Sequence, residues 1–324
     1  MTDIKEKILL GGVKQKIHVR TDDESKPVLL FLHGGPGIIN RHSIMTNDAD
    51  LLDTFTVATW DQRGTGGSNS GVSKDSLTID RLTRDASELV LWLCERFNKD
   101  KIFVIGGSWG SLLGTYLSYR FPEHIAAFVG FGQVVNIDLN KKISYNFSLE
   151  EAKKAGNEED VKKLESVGPP EMGMYKGGYA GMMVQRKIMM KYGGYSKNEG
   201  KRSYWDAIAK PMLTSGEYSF GDIFGFLTGY RRVLETMWEE IGKTNFPETC
   251  TSFEIPFFIF DGRLDMNTPS ELVEDWFNMI KAPRKELIWF ENSGHNPMGD
   301  EGEKFKKLLR EKLTQVREEE NSKV

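Results

Sequence analysis

The sequence predicts an α/β fold: a mostly parallel central sheet with helices on both faces, interrupted by an inserted, mostly helical unit. Three observations carry this. Short apolar runs of strand length, such as VLLFL at 28–32 and FFIF at 257–260, alternate with stretches of helical periodicity. Several strand-like runs lead straight into loops of unusual composition: HGGPG, DQRGTGGS and GGSWGS. The rhythm stops after about residue 137 and resumes near 250.

Taken in order, residues 6–10 and 15–20 read as two strands joined by a Gly11-Gly12 turn. Residues 27–32 (PVLLFL) are apolar on both faces, as a central parallel strand must be, and 55–60 (FTVATW) form the next strand. A helix over 78–97 follows from Ile79, Leu82, Ala86, Leu89, Val90, Leu93 and Phe97, which recur at three- and four-residue steps. Lys101 to Ile105 is another strand, then a helix runs to Arg120 and stops at Phe121-Pro122, since proline cannot continue it. Residues 125–131 give one more strand.

The insertion contains charged helical stretches (149–166), a methionine-rich stretch (Met172, Met174, Met182, Met183, Met189, Met190) and an aromatic-rich segment (218–238). The methionines read as helix packing onto the core, or as an adaptable pocket wall. After it come a strand (255–260), a helix (269–280), a strand (286–290) and an amphipathic helix (303–317). The core is therefore expected over 1–137 and 250–324, and the cap over 138–249.

Composition narrows the function. In 324 residues, 39% are hydrophobic and 28% charged, the balance of a folded protein rather than a disordered one. The charge, 43 − 47 = −4, removes the electrostatic argument for a nucleic-acid or anionic-membrane partner. Cys94 and Cys250 have no neighbours at ligand spacing, so both read as small core hydrophobes, and neither a metal nor a cofactor is implied. The N-terminus shows no apolar leader and no run approaches a membrane span, so a cytoplasmic protein is expected. A small molecule or short peptide is the expected partner, and the oligomeric state stays open.

Gly106-Gly107-Ser108-Trp109-Gly110 is a G-x-S-x-G that follows a strand and opens a helix, as a nucleophile elbow requires. A serine hydroxyl needs a base, and the base needs an orienting acid. The chain order Ser, acid, His selects His295, in the loop after the last strand; His124 follows Ser108 by only one helix. Asp261 and Asp265 both lie near the end of the preceding strand, and Asp265 is preferred because its loop can turn toward the histidine. The oxyanion would be met by the Trp109 N–H and by Gly35, with Gly34 as the alternative. His33 is expected to bond within its own loop, and Asp61 and Arg63 to pair and brace the site.

HGGPG (33–37), DQRGTGGS (61–68), GGSWGS (106–111), GRLD (262–265) and SGH (293–295) together resemble the proline iminopeptidase (prolyl aminopeptidase) family of α/β-hydrolases. The resemblance implies the α/β-hydrolase fold with a helical cap, and Ser108 as nucleophile, Asp265 as acid and His295 as base. It implies release of an N-terminal residue, proline preferred, from short peptides through an acyl-enzyme. The family holds the substrate's free amine with cap glutamates. The acidic candidates here are Glu171, Glu217, Glu235, Glu239 and Glu240, although each reads first as a solvated helix charge. A carboxylic ester or lactone hydrolase with the same triad is the alternative; a scaffold that merely kept the fold is a third. Epoxide hydrolases and haloalkane dehalogenases are disfavoured, because their elbow nucleophile is Asp where this chain has Ser108.

Overall fold

The structure is a computed structural model that describes residues 1–196 and 210–322. An eight-stranded sheet runs in the order β1-β2-β4-β3-β5-β6-β7-β8. β1 (Thr2–Leu10) and β2 (Val13–Thr21) form the hairpin, with Leu10 opposite Val13 and Thr2 opposite Thr21. Gly11 and Gly12 take φ of +53° and +76°, the left-handed pair that a tight hairpin turn demands. The strands run longer than their apolar stretches because the backbone ladder pairs polar residues as readily as apolar ones.

β3 (Val28–Leu32) and β4 (Thr56–Trp60) are parallel neighbours at the middle of the sheet. Next come α1 (Ile79–Phe97), β5 (Ile102–Gly107), α2 (Trp109–Arg120) and β6 (Ile125–Phe131). β3 shows why the runs are apolar throughout. Val28, Leu30 and Leu32 join the layer formed with α1 and α2, whereas Leu29 and Phe31 join the opposite layer. Each fully buried Leu contributes roughly 2 kcal/mol. α1 starts at Thr78, whose side chain accepts the Arg81 N–H at 3.1 Å, and ends at Asn98 in the left-handed region.

Between β6 and β7 the chain forms the helical unit. α3 (Ile137–Lys154) and α4 (Glu158–Val167) carry the charged helical stretches expected over 149–166, with α3 starting well before them. Gly156, at φ +63°, breaks the run, and the Asn157 side chain caps α4 by accepting the Asp160 N–H at 3.1 Å. α5 (Tyr179–Lys191), α6 (Lys210–Thr214) and α7 (Phe220–Gly242) follow. The entering and leaving chains run side by side: Ile137 N–H donates to Thr244 O at 3.1 Å, and Phe246 N–H to Val135 O at 3.0 Å.

α7 carries a feature the sequence reading missed. Gly225 and Gly229 lie directly on the DQRGTGGS loop, where a Cβ would stand 2.0 Å from Gly66 O and 2.1 Å from Gly64 O. Only glycine permits that approach. Beside them, Arg41 donates to Asp222 at 2.9 Å, tying the helix start to the core.

α8 (Phe246–Thr249), β7 (Phe257–Gly262), α9 (Ser270–Met279), β8 (Lys285–Phe290), α10 (Pro297–Asp300) and α11 (Gly302–Asn321) complete the fold. Phe305, Leu309, Leu313 and Val316 of α11 line up on its buried face. Met182 and Met189 are buried within the helical unit, whereas Met172 and Met174 are exposed, so no single role fits the methionine stretch. Cys94 and Cys250 are free and buried, and burial pushes both thiols up to about 11. Among the described residues no helix is long and apolar enough to cross a membrane.

Candidate active site

Ser108 joins β5 to α2 at φ 55° and ψ −121°, a conformation rare for any residue with a side chain. It costs of order 1–3 kcal/mol and lifts the side chain out of the turn. The flanking glycines make the turn possible. A Cβ on Gly106 would stand 2.2 Å from Gly110 O, and one on Gly110 would stand 2.0 Å from Leu32 O. The Ser108 backbone is held on both sides, its N–H donating to Phe131 O at 3.0 Å and its carbonyl accepting from Ser111 N–H at 2.8 Å.

Asp265 and His295, the acid and base singled out in the sequence, lie together. His295 Nδ1 lies 2.7 Å from Asp265 Oδ2. Asp265 is fully buried and accepts three further bonds, from the Asn267 N–H at 2.7 Å, the Thr268 N–H at 2.9 Å and the Thr268 hydroxyl at 2.5 Å. Four donors on two oxygens suit a carboxylate, which only accepts. The imidazole therefore donates from Nδ1 and keeps a lone pair on Nε2. Its ring packs against Tyr195, 4.7 Å between centroids. Asp261, the rejected alternative, makes no bond to His295; burial and the charge of Asp265 push its carboxyl well above the usual range.

The third member is placed differently from the expectation. Among the described residues Ser108 Oγ makes no hydrogen bond to His295. Instead Asn267 Nδ2 lies 3.0 Å from His295 Nε2. The amide orientation follows from its other end: Asn267 Oδ1 accepts from Arg186 Nη2 at 2.9 Å, and a guanidinium can only donate. Ser108, Asn267 and Thr268 nonetheless line one cavity. Nothing in the motif reading singled out Asn267 and Thr268, although D-x-N-T is a pattern in which an Asp side chain accepts from backbone two and three residues on.

Gly35 and Trp109 line the same cavity as Ser108. Gly35 takes φ +127°, where a side chain is strained, and a Cβ on Gly34 would lie 3.6 Å from Ser108 Cβ. The Trp109 N–H belongs to the first turn of α2, where amides have no helical partner. The Trp109 ring is fixed by its Nε1–H, which donates to Gln62 Oε1 at 2.7 Å.

His33 behaves as expected. Its Nδ1 donates to Gly34 O at 2.8 Å, and its Nε2 accepts the Gln62 N–H at 3.1 Å. Burial pulls its pKa down to about 4, so it stays neutral. The expected Asp61–Arg63 pair does not form. Arg63 reaches Asp85 on α1, with Nε at 2.6 Å and Nη2 at 2.9 Å, while Asp61 lies 3.3 Å from Arg41 Nε and accepts the Gly67 N–H at 2.8 Å. The tight turns at Gly64 and Gly66 send the two side chains to opposite sides of the loop.

None of the acidic cap candidates reaches the cavity. Glu171 is exposed. Glu217 lies at the β1–β2 hairpin, 2.8 Å from His18 and 3.3 Å from Lys5. Burial raises its pKa, but the hydrogen bond and charge of His18, with Lys5, outweigh that and hold it at about 2. Glu235 pairs with Arg231 at 2.8 Å and Glu239 with Lys243 at 2.9 Å along the surface of α7. Glu240 accepts the Ile79 N–H at 2.9 Å, at the start of α1. Among the described residues the cavity wall carries instead the cations Lys141 of α3 and Arg186 of α5. The cavity is small, about 40 Å³, room for a few waters.

A family described as alpha/beta hydrolase fold matches residues 27–165. The chain is 29% identical to the probable aminopeptidase YbaC of Bacillus subtilis, over 94% of this chain and 95% of that one. It is 22% identical to the proline iminopeptidase of Lactobacillus delbrueckii subsp. bulgaricus, over 95% and 97% of the two. Among solved structures, a proline iminopeptidase of Mycobacterium smegmatis superposes with a TM-score of 0.67 at 17% identity, covering 97% of this chain and 98% of that one. An epoxide hydrolase of Bacillus megaterium gives 0.57 at 17% identity over 95% and 100%, so the shared fold alone does not choose a chemistry.

Proposed function

We propose that this chain, which belongs to the α/β-hydrolases, is a cytoplasmic serine hydrolase that works through an acyl-enzyme on Ser108, and that it acts as a proline iminopeptidase-like aminopeptidase on short peptides. The observation that carries the hydrolase chemistry is the buried Asp265–His295 pair, 2.7 Å apart, beside an elbow serine that lines the adjoining cavity. The aminopeptidase part is supported by the relatives' names and the loop motifs.

In this reading Ser108 Oγ attacks the substrate carbonyl. His295 Nε2 takes the hydroxyl proton, the Asn267 amide giving up its place there to the serine. Asp265 stabilises the imidazolium, and the Gly35 and Trp109 N–H groups receive the oxyanion. The imidazolium protonates the leaving amine, and water then hydrolyses the ester at Ser108.

A carboxylic ester or lactone hydrolase is the second reading. One observation favours it: among the described residues the cavity wall holds no carboxylate for a substrate's ammonium, and it carries Lys141 and Arg186. Release of naphthylamine from proline β-naphthylamide, set against an ester panel with blocked amines, separates the two. Turnover confined to free-amine substrates supports the aminopeptidase. Ester turnover with no free-amine amide cleaved sinks it. A fluorophosphonate probe should label the native protein and leave Ser108→Ala unlabelled; a folded native protein that resists the probe removes the serine-hydrolase reading altogether.

A further inference from the structure

Lys141 is 7% exposed and faces the cavity above Ser108. Among the described residues its ammonium makes no hydrogen bond and no ion pair; its charge contact is the Trp238 ring, 5.8 Å away. A buried ammonium without a counter-ion is costly, since neither water nor an anion repays its lost hydration. Arg186 lines the same wall and has no carboxylate within ion-pair distance among the described residues; its bond goes to the neutral Asn267 amide. Burial and the neighbouring Arg186 charge pull the Lys141 pKa down to about 7. Among the described residues the negative charge that acts on it is Asp265, which already serves His295.

We propose that Lys141 and Arg186 form a carboxylate subsite, so that the preferred substrate carries a free carboxylate close to the carbonyl attacked by Ser108. This rests on the hydrolase reading of the site. A carboxylate there would supply the missing counter-charge to Lys141 and meet the donor-only guanidinium of Arg186. The small cavity keeps that group within a few bonds of the scissile carbonyl. For a peptide substrate this means a short free acid, such as a dipeptide; for an ester it means a half-ester of a dicarboxylic acid. In both, a cationic group in the place of that carboxylate would be repelled.

The probe pair is succinamate, which carries one carboxylate and one amide, and succinamide, its neutral diamide. Both are offered as protectors of native Ser108 against a fluorophosphonate. Succinamate should halve the labelling rate at about one-tenth the concentration that succinamide requires, the worth of one charge-assisted bond. The preference should fall to within about twofold in Lys141→Met and in Arg186→Gln, each checked for a native melting transition. Equal protection by the two compounds, protection by neither, or an undiminished preference in both folded variants overturns the subsite. A folded native protein that is not labelled at all sinks the serine-hydrolase reading instead. Calorimetry of succinamate against succinamide then judges the subsite by itself: succinamate-selective binding supports it, and no difference between the two overturns it.

Discussion

Replacing Asp85 with asparagine changes one charge and almost no volume. The two Asp85 oxygens receive four donors: Arg63 Nε at 2.6 Å and Nη2 at 2.9 Å, Gln15 Nε2 at 2.7 Å and Arg81 Nε at 3.0 Å. An asparagine amide must turn its own N–H₂ toward donors on one side, whichever way it is set. Arg63 has almost no exposure, so its charge is left buried with neutral acceptors alone to meet it: the remaining amide oxygen, the carbonyls of Leu10 and Gly11 at 3.1 and 3.0 Å, and the Ser76 hydroxyl at 3.5 Å. Breaking one side of a buried pair costs about 3–5 kcal/mol. The melting temperature should fall by roughly 5–10 °C, and the urea midpoint should drop with an unchanged slope. Adding Arg63→Met should restore part of the loss, because the orphaned charge is then gone. Asp85→Asn within about 1 kcal/mol of the native protein, or a double variant no better than the single one, would refute the reasoning. Labelling of Ser108 should also slow below the transition, since the same loop carries Gln62 and through it the Trp109 ring.

Gly229→Ala would set a methyl 2.1 Å from Gly64 O, so α7 must lift off the loop; a destabilisation of about 1–3 kcal/mol by denaturant titration is expected. Glu217 has a folded pKa of about 2 against an ordinary 4.5. Its stabilising contribution is therefore complete above about pH 4.5 and is lost as the pH falls toward 2. Glu217→Gln should flatten that acid limb of stability, and an acid titration identical to the native one counts against the Glu217–His18–Lys5 cluster. Burial pulls Lys141 down to about 7; among the described residues Arg186 on α5 and Asp265 after β7 are the charged groups acting on it, and the neutral Trp238 ring on α7 lies beside it. Succinamate binding should be at full strength below that pH and weaken above it, as binding must then bring a proton along. Calorimetry at pH 6 and 8.5 reads the difference.

Where the chemistry sits on consecutive strands and tight turns, the sequence makes it legible. Apolar runs mark β3, β5 and β7, and the steric demand for glycine marks the elbow on either side of Ser108. The Asp265–His295 pair was legible because chain order in this kind of sheet leaves few choices. Other features depend on contacts between distant segments. Asp85 reads as one more polar residue of an amphipathic helix, although it stands on the face of Leu82, Ala86 and Leu89, where a charge needs a partner. Gly225 and Gly229 sit four apart, a spacing visible in the sequence, yet only packing shows what they approach. Glu217 was read with the helical unit as a free acid, and its partners lie on the first hairpin, nearly two hundred residues earlier. Lys141 stands in an ordinary run, NKK, and that it makes no ion pair among the described residues appears only once α3 is folded against α5. The Asn267 amide at His295 Nε2 is of the same kind: two short side chains compete for one lone pair, and chain order says nothing about which of them occupies it.

The side-by-side strands at Val135–Ile137 and Thr244–Phe246 have an evolutionary and engineering consequence. The hundred or so residues between them leave and return at one doorway, so another insert with the same two ends could be grafted without disturbing the register of the sheet. Ser108, Asp265 and His295 would stay unchanged with the scaffold. Lys141 and Arg186 would travel with the graft, so under the proposed function part of the selectivity would be exchangeable.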